Sequence, residues 1–185
     1  MVFFNMNAEE TTRLLACARA SITQGVIGGG EQRPTSLDQE ELGACFVTLS
    51  LNGSLRGCIG SLEASRPLTV DVWENAYSAA LNDPRFPPLD MDELGRVKIE
   101  ISVITPALLL SIDSEQDLID KIRPGIDGLL LEDGSHRATF LPAVWEVLPN
   151  VRDFIVHLKR KAGFADNYWS DSIKFSVYQA IKLTE

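Results

Sequence analysis

The segment LRGCIG, Leu55 to Gly60, places an arginine and a cysteine two residues apart among glycines. A cysteine becomes a nucleophile when a nearby cation or a helix N-terminus stabilises its thiolate, and Arg56 is a cation close to Cys58 in sequence. Gly57 and Gly60 have no side chains and would let a ligand or another backbone approach closely. Cys58 is therefore a candidate catalytic thiol, and Arg56, Gly57 and Gly60 are candidate ligand-binding residues.

Three interpretations of Cys58 stay open at this stage. It could be a small apolar residue packed on Phe46, since free cysteines are commonly buried. It could belong to a binding site that does no covalent chemistry. As a nucleophile it would lack a histidine nearby in sequence, but His136 of a later segment could lie close in space.

A second candidate segment is NDPRFPPL, in which Asp83 and Arg85 flank Pro84. These two charges could form the edge of a cleft beside LRGCIG, so both are candidate ligand-binding residues. They could equally form an internal ion pair that pins a proline-rich loop, with Phe86 as its plug. Arg56 has the same two options: its guanidinium could hold a carboxylate or phosphate with two parallel hydrogen bonds, or pair structurally with an acid such as Asp83.

A β-hairpin must position Arg56 and Cys58, because apolar and polar residues alternate on both sides of Asn52-Gly53. A two-residue loop at Asn52-Gly53 would pair Leu49 with Arg56 and Val47 with Cys58, which mixes the two faces. A three-residue loop, residues 51–53, separates them and puts Arg56 and Cys58 on the less apolar face. The predicted pairs are Leu49–Leu55, Val47–Gly57, Cys45–Ile59, Thr48–Arg56 and Phe46–Cys58.

The remaining pattern predicts helices alternating with antiparallel strands. Helices are expected at residues 7–26, 66–83, 113–122 and 151–163, strands at 96–105 and 172–181, a second hairpin at 128–141 and a glycine-rich loop at 27–43. The order hairpin, helix, loop, strand occurs twice. Gly53, Ser54 and Arg56 match Gly134, Ser135 and Arg137 at one offset, while Cys58 maps onto Thr139. We predict an α+β fold, an antiparallel sheet with flanking helices, and a possible internal duplication of the hairpin–helix–strand unit.

Composition restricts the class of protein. The 185 residues are 45% apolar and 23% charged, enough for one domain or two small lobes. A net charge of −9 argues against nucleic acids and anionic membranes as partners. Three scattered cysteines and two histidines make no zinc site, so we expect neither metal nor cofactor. The N-terminus does not resemble a secretory signal, and free thiols favour a reducing compartment, so we expect a cytoplasmic protein.

Five segments in order resemble the AMMECR domain family over roughly residues 8–183: LRGCIGSL, NDPRFPPL, IEISVIT, GIDGLLLEDGSHRATFLPAVW and KRKAGF. The resemblance implies an α+β fold with a large antiparallel-sheet lobe and a smaller helical lobe, but no defined activity. Some similar proteins are encoded beside, or fused to, a Memo-like protein and a radical S-adenosylmethionine enzyme, which are therefore the partners that the resemblance implies. No CxxxCxxC cluster motif occurs in this chain.

Taken together, these observations predict a non-catalytic or accessory module. Its groove between Arg56–Cys58 and Asp83–Phe86 would bind a partner protein or a small anionic ligand. The alternative is a small-molecule enzyme that uses Cys58 as a reactive thiol. The absence of a recognisable triad favours the module, whereas two glycines beside an arginine favour the enzyme.

Overall fold

The structure, a computed structural model, describes residues 6–28 and 41–185, so most of the predicted loop at 27–43 lies outside the described residues. In chain order the elements are α1 (Ala8–Ile27), β1 (Leu42–Leu51), β2 (Ser54–Gly60), β3 (Arg66–Pro67), α2 (Leu68–Leu81), α3 (Met91–Leu94), β4 (Lys98–Ile104), β5 (Leu108–Leu109), α4 (Glu115–Lys121), β6 (Gly128–Asp133), β7 (His136–Phe140), a 3-10 helix (Pro142–Glu146), α5 (Val151–Lys161), β8 (Lys174–Tyr178) and β9 (Ala180–Thr184). Helices and antiparallel sheets confirm the predicted α+β class. The chain divides into two compact units, residues 1–104 with 181–185, and residues 105–180.

The first unit packs two helices on one face of a sheet. Asn7 begins α1 through a capping box with Glu10, and Pro67 precedes α2, as the sequence predicts. The sheet has the order β2-β1-β4-β9, and the short β3 also pairs with β1. Its inner face and the helices share one core, which includes Leu14, Ala18, Ile22, Val47, Leu49, Val72, Ala76, Ile99 and Ile101.

The predicted three-residue hairpin loop is wrong. The turn contains two residues, Asn52 and Gly53, with φ of 53° and 81°, as in a type I′ turn. The observed pairs are Leu51–Ser54, Ser50–Leu55, Leu49–Gly57, Thr48–Cys58, Val47–Ile59 and Phe46–Gly60. Arg56 has no partner in this register and is the extra residue of a β-bulge. The bulge shifts the register after the turn, which separates the apolar and polar faces without a longer loop.

The second unit has a four-stranded sheet of order β5-β8-β6-β7. The family resemblance implied a smaller helical lobe and did not imply this sheet. Its core lies against α4 and α5, and the ring of Phe154 stacks on Trp145 with centroids 3.7 Å apart. The single strand predicted at 172–181 is divided. Residues 174–178 pair within this sheet as β8, whereas residues 180–184 pair with β4 in the first sheet as β9. Residues 174–184 contain no glycine or proline, so no turn signal in the sequence marks this change of sheet.

Both units place a third strand beside the first strand of a hairpin. In the first unit β4 pairs with β1, and in the second β8 pairs with β6. The recurrence of this order agrees with the pattern that suggested a duplication, but the duplication itself stays a prediction. Within residues 6–28 and 41–185, no helix is long and apolar enough to cross a membrane.

Candidate functional site

The strand that carries Cys58 lies at the edge of the first sheet, and a loop covers its main chain there. The amide nitrogen of Cys58 donates to Oδ2 of Asp83 at 2.8 Å, and Nη2 of Arg85 donates to the Cys58 carbonyl at 3.1 Å. Two side chains thus bind the groups that a neighbouring strand would otherwise pair. This contact protects the edge and fixes the loop against β2.

Asp83 and Arg85 also form an ion pair with each other, as one of the two sequence interpretations requires. Oδ1 of Asp83 accepts from Nε of Arg85 at 2.9 Å, and Oδ2 accepts from Nη2 at 2.7 Å. Asp83 is buried and Arg85 is about half exposed. The hydrogen bonds from Arg85 hold the pKa of the Asp83 carboxyl well below its usual range, because they outweigh the opposing effect of burial.

Arg56 is buried and forms a bidentate ion pair with Glu93, not with Asp83. Its Nε and Nη2 each donate to a carboxylate oxygen of Glu93 at 2.7 Å, and Nη2 also donates to the Pro88 carbonyl at 3.3 Å. The guanidinium lowers the pKa of Glu93, and the Glu93 carboxylate raises the pKa of Arg56. The fork that was expected to hold a ligand carboxylate or phosphate therefore already holds a carboxylate of this chain.

Glu93 is the residue of the candidate site that sequence reasoning missed. It lies in the one-turn helix α3, where Glu93 N donates to Oδ1 of Asp90 at 2.9 Å and Asp90 N donates to Oε2 of Glu93 at 3.2 Å. The sequence Asp90-Met-Asp-Glu93 has the spacing of a capping box, which was the available signal. The cap holds the Glu93 carboxylate in place for Arg56.

Phe86 lies beside both guanidinium groups of the site. Its ring centroid is 5.9 Å from Cζ of Arg56 and 5.6 Å from Cζ of Arg85, within the range of a cation–π contact. The ring is half-buried. Phe86 thus joins the two ion pairs into one cluster on the loop.

Cys58 is half-buried on the sheet face opposite Val47 and Leu49, across from Thr48. The Thr48 hydroxyl donates to its sulfur at 3.3 Å. In the described part of the chain, no imidazole or carboxylate is hydrogen-bonded to this sulfur. His136 belongs to the second unit, where its Nδ1 lies 2.8 Å from the Ala162 carbonyl oxygen, and its proximity to Cys58 stays a prediction.

The two glycines are explained by packing within the first unit. A Cβ on Gly57 would lie 2.1 Å from the Ala79 carbonyl oxygen of α2, and one on Gly60 would lie 2.4 Å from the carbonyl oxygen of Cys45. The structure shows another backbone close to both glycines, which is one of the two alternatives stated from the sequence, and no open space for a ligand on their Cβ sides. Ligand contact through their main chains stays a prediction.

One polar atom of the site is left over. Nη1 of Arg56 is buried and has no hydrogen-bond partner among the residues that the structure describes. By contrast, the carboxylates of Asp83 and Glu93 are bound by arginines. Asp83, Arg85, Arg56 and Glu93 carry two positive and two negative charges, so the cluster has no net charge. The described residues contain no group of histidine, cysteine and acidic side chains that could hold a metal ion.

A buried carboxylate also binds the main chain at a second place in this sheet. Oδ2 of Asp71 accepts from Cys45 N at 2.8 Å, and Oδ1 accepts from Nε of Arg66 at 2.8 Å. Nδ2 of Asn75 donates to the Cys45 carbonyl at 3.1 Å. Burial, together with the nearby Asp71 carboxylate, raises the pKa of the Cys45 thiol, which suits an inert structural cysteine.

Comparisons with known proteins find similarity along nearly the whole chain. The sequence profile of the family described as AMMECR1 matches residues 15–183. Protein MJ0810 of Methanocaldococcus jannaschii is 33% identical over 95% of this chain and 90% of its own length. A protein of Methanothermobacter thermautotrophicus is 35% identical over 92% and 91%. The crystal structure of uncharacterized protein PH0010 from Pyrococcus horikoshii superimposes with a TM-score of 0.83 at 30% identity, covering 97% of this chain and 93% of that one.

Proposed function

The chain belongs to the AMMECR1 family, and we propose that it is a non-catalytic binding module. Its binding site would be the surface formed by residues 55–60 and 83–93, which we call the β2–loop surface. The observation that carries this proposal is that the two carboxylates in contact with Arg56 and Cys58 are both paired within the chain. Asp83 and Glu93 each bind an arginine of the same chain, so neither is a free general base.

The β2–loop surface is also held in one conformation before any partner arrives. Hydrogen bonds from Asp83 and Arg85 fix the main chain of Cys58, and the Arg56–Glu93 pair fixes the far end of the loop. A surface ordered in advance loses less conformational entropy on binding. Exposed apolar side chains lie at both ends, Leu55 on β2 and Met91 on α3.

The partner we propose is a protein. The family resemblance suggests a Memo-like protein, acting with a radical S-adenosylmethionine enzyme. A small anionic ligand at Arg56 is less well supported, because Glu93 already occupies the guanidinium fork.

Binding to a purified Memo-like protein tests this proposal, measured by isothermal titration calorimetry. Leu55→Ser and Met91→Ala change exposed side chains that lie outside the ion-pair cluster, so both variants should fold normally. We expect each to weaken binding about tenfold, because each substitution removes an exposed apolar side chain that a partner would bury. Val147→Ala, an exposed apolar position in the second unit, is the matched control and should bind like the wild type. Unchanged binding in both site variants would contradict the proposed surface.

The alternative function is an enzyme that uses the Cys58 thiol. Two observations favour it: the Thr48 hydroxyl donates to the sulfur, and the Arg85 guanidinium lies at the Cys58 carbonyl. Native protein treated with a thiol reagent at neutral pH, followed by peptide mass analysis, tests this function. An activated Cys58 would react faster than Cys17 and Cys45. Equal or slower reaction of Cys58 would exclude it as an activated nucleophile.

A further inference from the structure

Arg56 offers a partner one specific hydrogen-bond donor. Its side chain is nine-tenths buried, and Glu93 and Pro88 together engage Nε and Nη2. Nη1 is left buried with no acceptor within the described ranges. A buried donor without an acceptor is unfavourable, so an oxygen atom supplied from outside would be stabilised there.

The charge of the cluster restricts what that oxygen can be. The Glu93 carboxylate already neutralises Arg56, and Asp83 neutralises Arg85. A second carboxylate or a phosphate at Nη1 would bring an unpaired negative charge into a buried region that has no net charge to offset it. Burial of an unpaired charge is far more costly than burial of a neutral group that forms a hydrogen bond. A neutral oxygen acceptor therefore fits Nη1 better than an anion.

The surroundings favour an amide carbonyl among the neutral acceptors. The aromatic ring of Phe86 lies beside the Arg56 guanidinium and makes the surroundings of Nη1 partly apolar, which suits a neutral group better than a charged one. Both carboxylates of the cluster are occupied by arginines, so the cluster gives hydrogen-bond donors to a ligand more readily than acceptors. The Phe86 ring is half-buried and its centroid lies 5.9 Å from Cζ of Arg56, which makes this side chain the candidate cover of Nη1.

We propose that Nη1 of Arg56 is the donor of a subsite for an uncharged amide carbonyl, in the first place a main-chain carbonyl of the partner protein. This inference rests on the proposed function of the β2–loop surface and names the chemistry that it recognises. It also assigns Phe86 as the cover of the subsite.

The test is nuclear magnetic resonance of the arginine side-chain N–H groups in the full chain. The probes are N-methylacetamide, acetate and inorganic phosphate, titrated at equal ionic strength. We expect N-methylacetamide to shift the Arg56 signals in a saturable manner. Acetate and phosphate should shift the signals of the half-exposed Arg85 and leave those of Arg56 in place. Arg56→Lys identifies the Arg56 signals by their loss.

The variant Phe86→Ala tests whether the Phe86 ring limits access to Nη1 of Arg56. If the ring covers the subsite, this variant should bind N-methylacetamide more tightly than the wild type. A shift of the Arg56 signals by acetate or phosphate as large as that by the amide would overturn the inference. No saturable amide shift in either protein would also overturn it.

The proposed function can fail separately. If Leu55→Ser and Met91→Ala leave partner binding unchanged while the amide shifts Arg56, the docking surface is wrong but the subsite stands. If those variants weaken binding while only anions shift Arg56, the docking surface stands and the subsite is for an anion.

Discussion

Arg56 and Arg137 follow the glycines of two hairpin turns at equivalent sequence positions, but their environments differ. The Arg56 side chain is 10% exposed and forms a bidentate pair with Glu93 of a distant loop. The Arg137 side chain is 43% exposed, and its Nε lies 3.3 Å from Oε1 of Glu132, its neighbour across the hairpin. The same residue therefore anchors a loop in the first hairpin and forms a surface cross-strand pair in the second.

The turns and registers of the two hairpins explain this difference. Asn52 and Gly53 both have positive φ, whereas in the second turn, Gly134-Ser135, only Gly134 does. The second hairpin continues in unbroken register from Asp133–His136 to Leu129–Phe140. The first gains an extra residue at Arg56, which leaves the regular pairing. A bulge can thus convert a surface arginine into a buried one, in keeping with the frequent occurrence of bulges near functional sites.

The largest effect is expected from Gly57→Ala. The matching position of the second hairpin is Ala138, which already carries a Cβ. A Cβ at Gly57 would lie 2.1 Å from a backbone oxygen of α2, which cannot move away as a side chain can. We expect the free energy of unfolding to fall by about 3 kcal/mol, as in a severely overpacked core. Urea unfolding followed by circular dichroism measures it.

Two matched changes control this prediction. Gly95→Ala should be nearly neutral, because a Cβ there meets no atom within 4 Å. Ala138→Gly should cost about 0.5–1 kcal/mol, the usual cost of a glycine in a strand. A loss for Gly57→Ala no larger than that for Ala138→Gly would show that the first hairpin has room for a side chain.

The second prediction concerns pH and the buried carboxylate at the edge of β2. We expect Asp83→Asn to reduce the free energy of unfolding at neutral pH by about 2–3 kcal/mol, the usual range for hydrogen bonds to a charged group. Since the folded pKa of Asp83 is lowered, its contribution is fully present above the unfolded value near 3.9 and is lost as the pH falls towards the folded pKa. Urea unfolding from about pH 6 to pH 2 should show wild type and variant converging in stability on the acid side.

Asp133, at the end of β6, is a buried carboxylate of the second unit and serves as the comparison. Hydroxyl groups of Ser170, Ser172 and Tyr168 lower its pKa, with no arginine partner among the causes. Asp133→Asn keeps one side-chain oxygen for these hydroxyls, so we expect a smaller loss than for Asp83→Asn. An equal or larger loss, or an Asp83→Asn deficit that persists at low pH, would contradict the role assigned to the Asp83–Arg85 pair.

The smallest effects distinguish the two arginines directly. Arg56→Lys keeps the charge but loses the bidentate geometry in a buried position, so we expect a loss of about 2 kcal/mol. Arg137→Lys changes an exposed pair and should alter stability by less than about 0.5 kcal/mol. Thermal unfolding of both variants measures the difference. Similar losses for the two would mean that the bulge does not change the role of its arginine.

Local signals in the sequence predicted most elements but not their long-range pairing. The capping residue Asn7 and the proline at 67 marked the starts of α1 and α2, because both act within one turn of the helix. The partner of Arg56 is 37 residues away, on a loop whose capping box was not recognised. The bulge was also missed, since a strict two-residue alternation assumes constant register. Sequence reasoning therefore brought Cys58, Asp83 and Arg85 together correctly as neighbours but not Arg56 and Glu93.

The exchange of the chain between sheets at Gln179 has a consequence for synthesis. The first unit obtains its strand β9 from residues 180–184, although the rest of its described elements end at residue 104. During translation, β9 is made only after the whole second unit, so one edge of β4 has no partner strand until then. Until then, β4 presents unpaired backbone groups that another chain could bind. The nascent protein is therefore open to misassembly along β4 until residues 180–184 have been made.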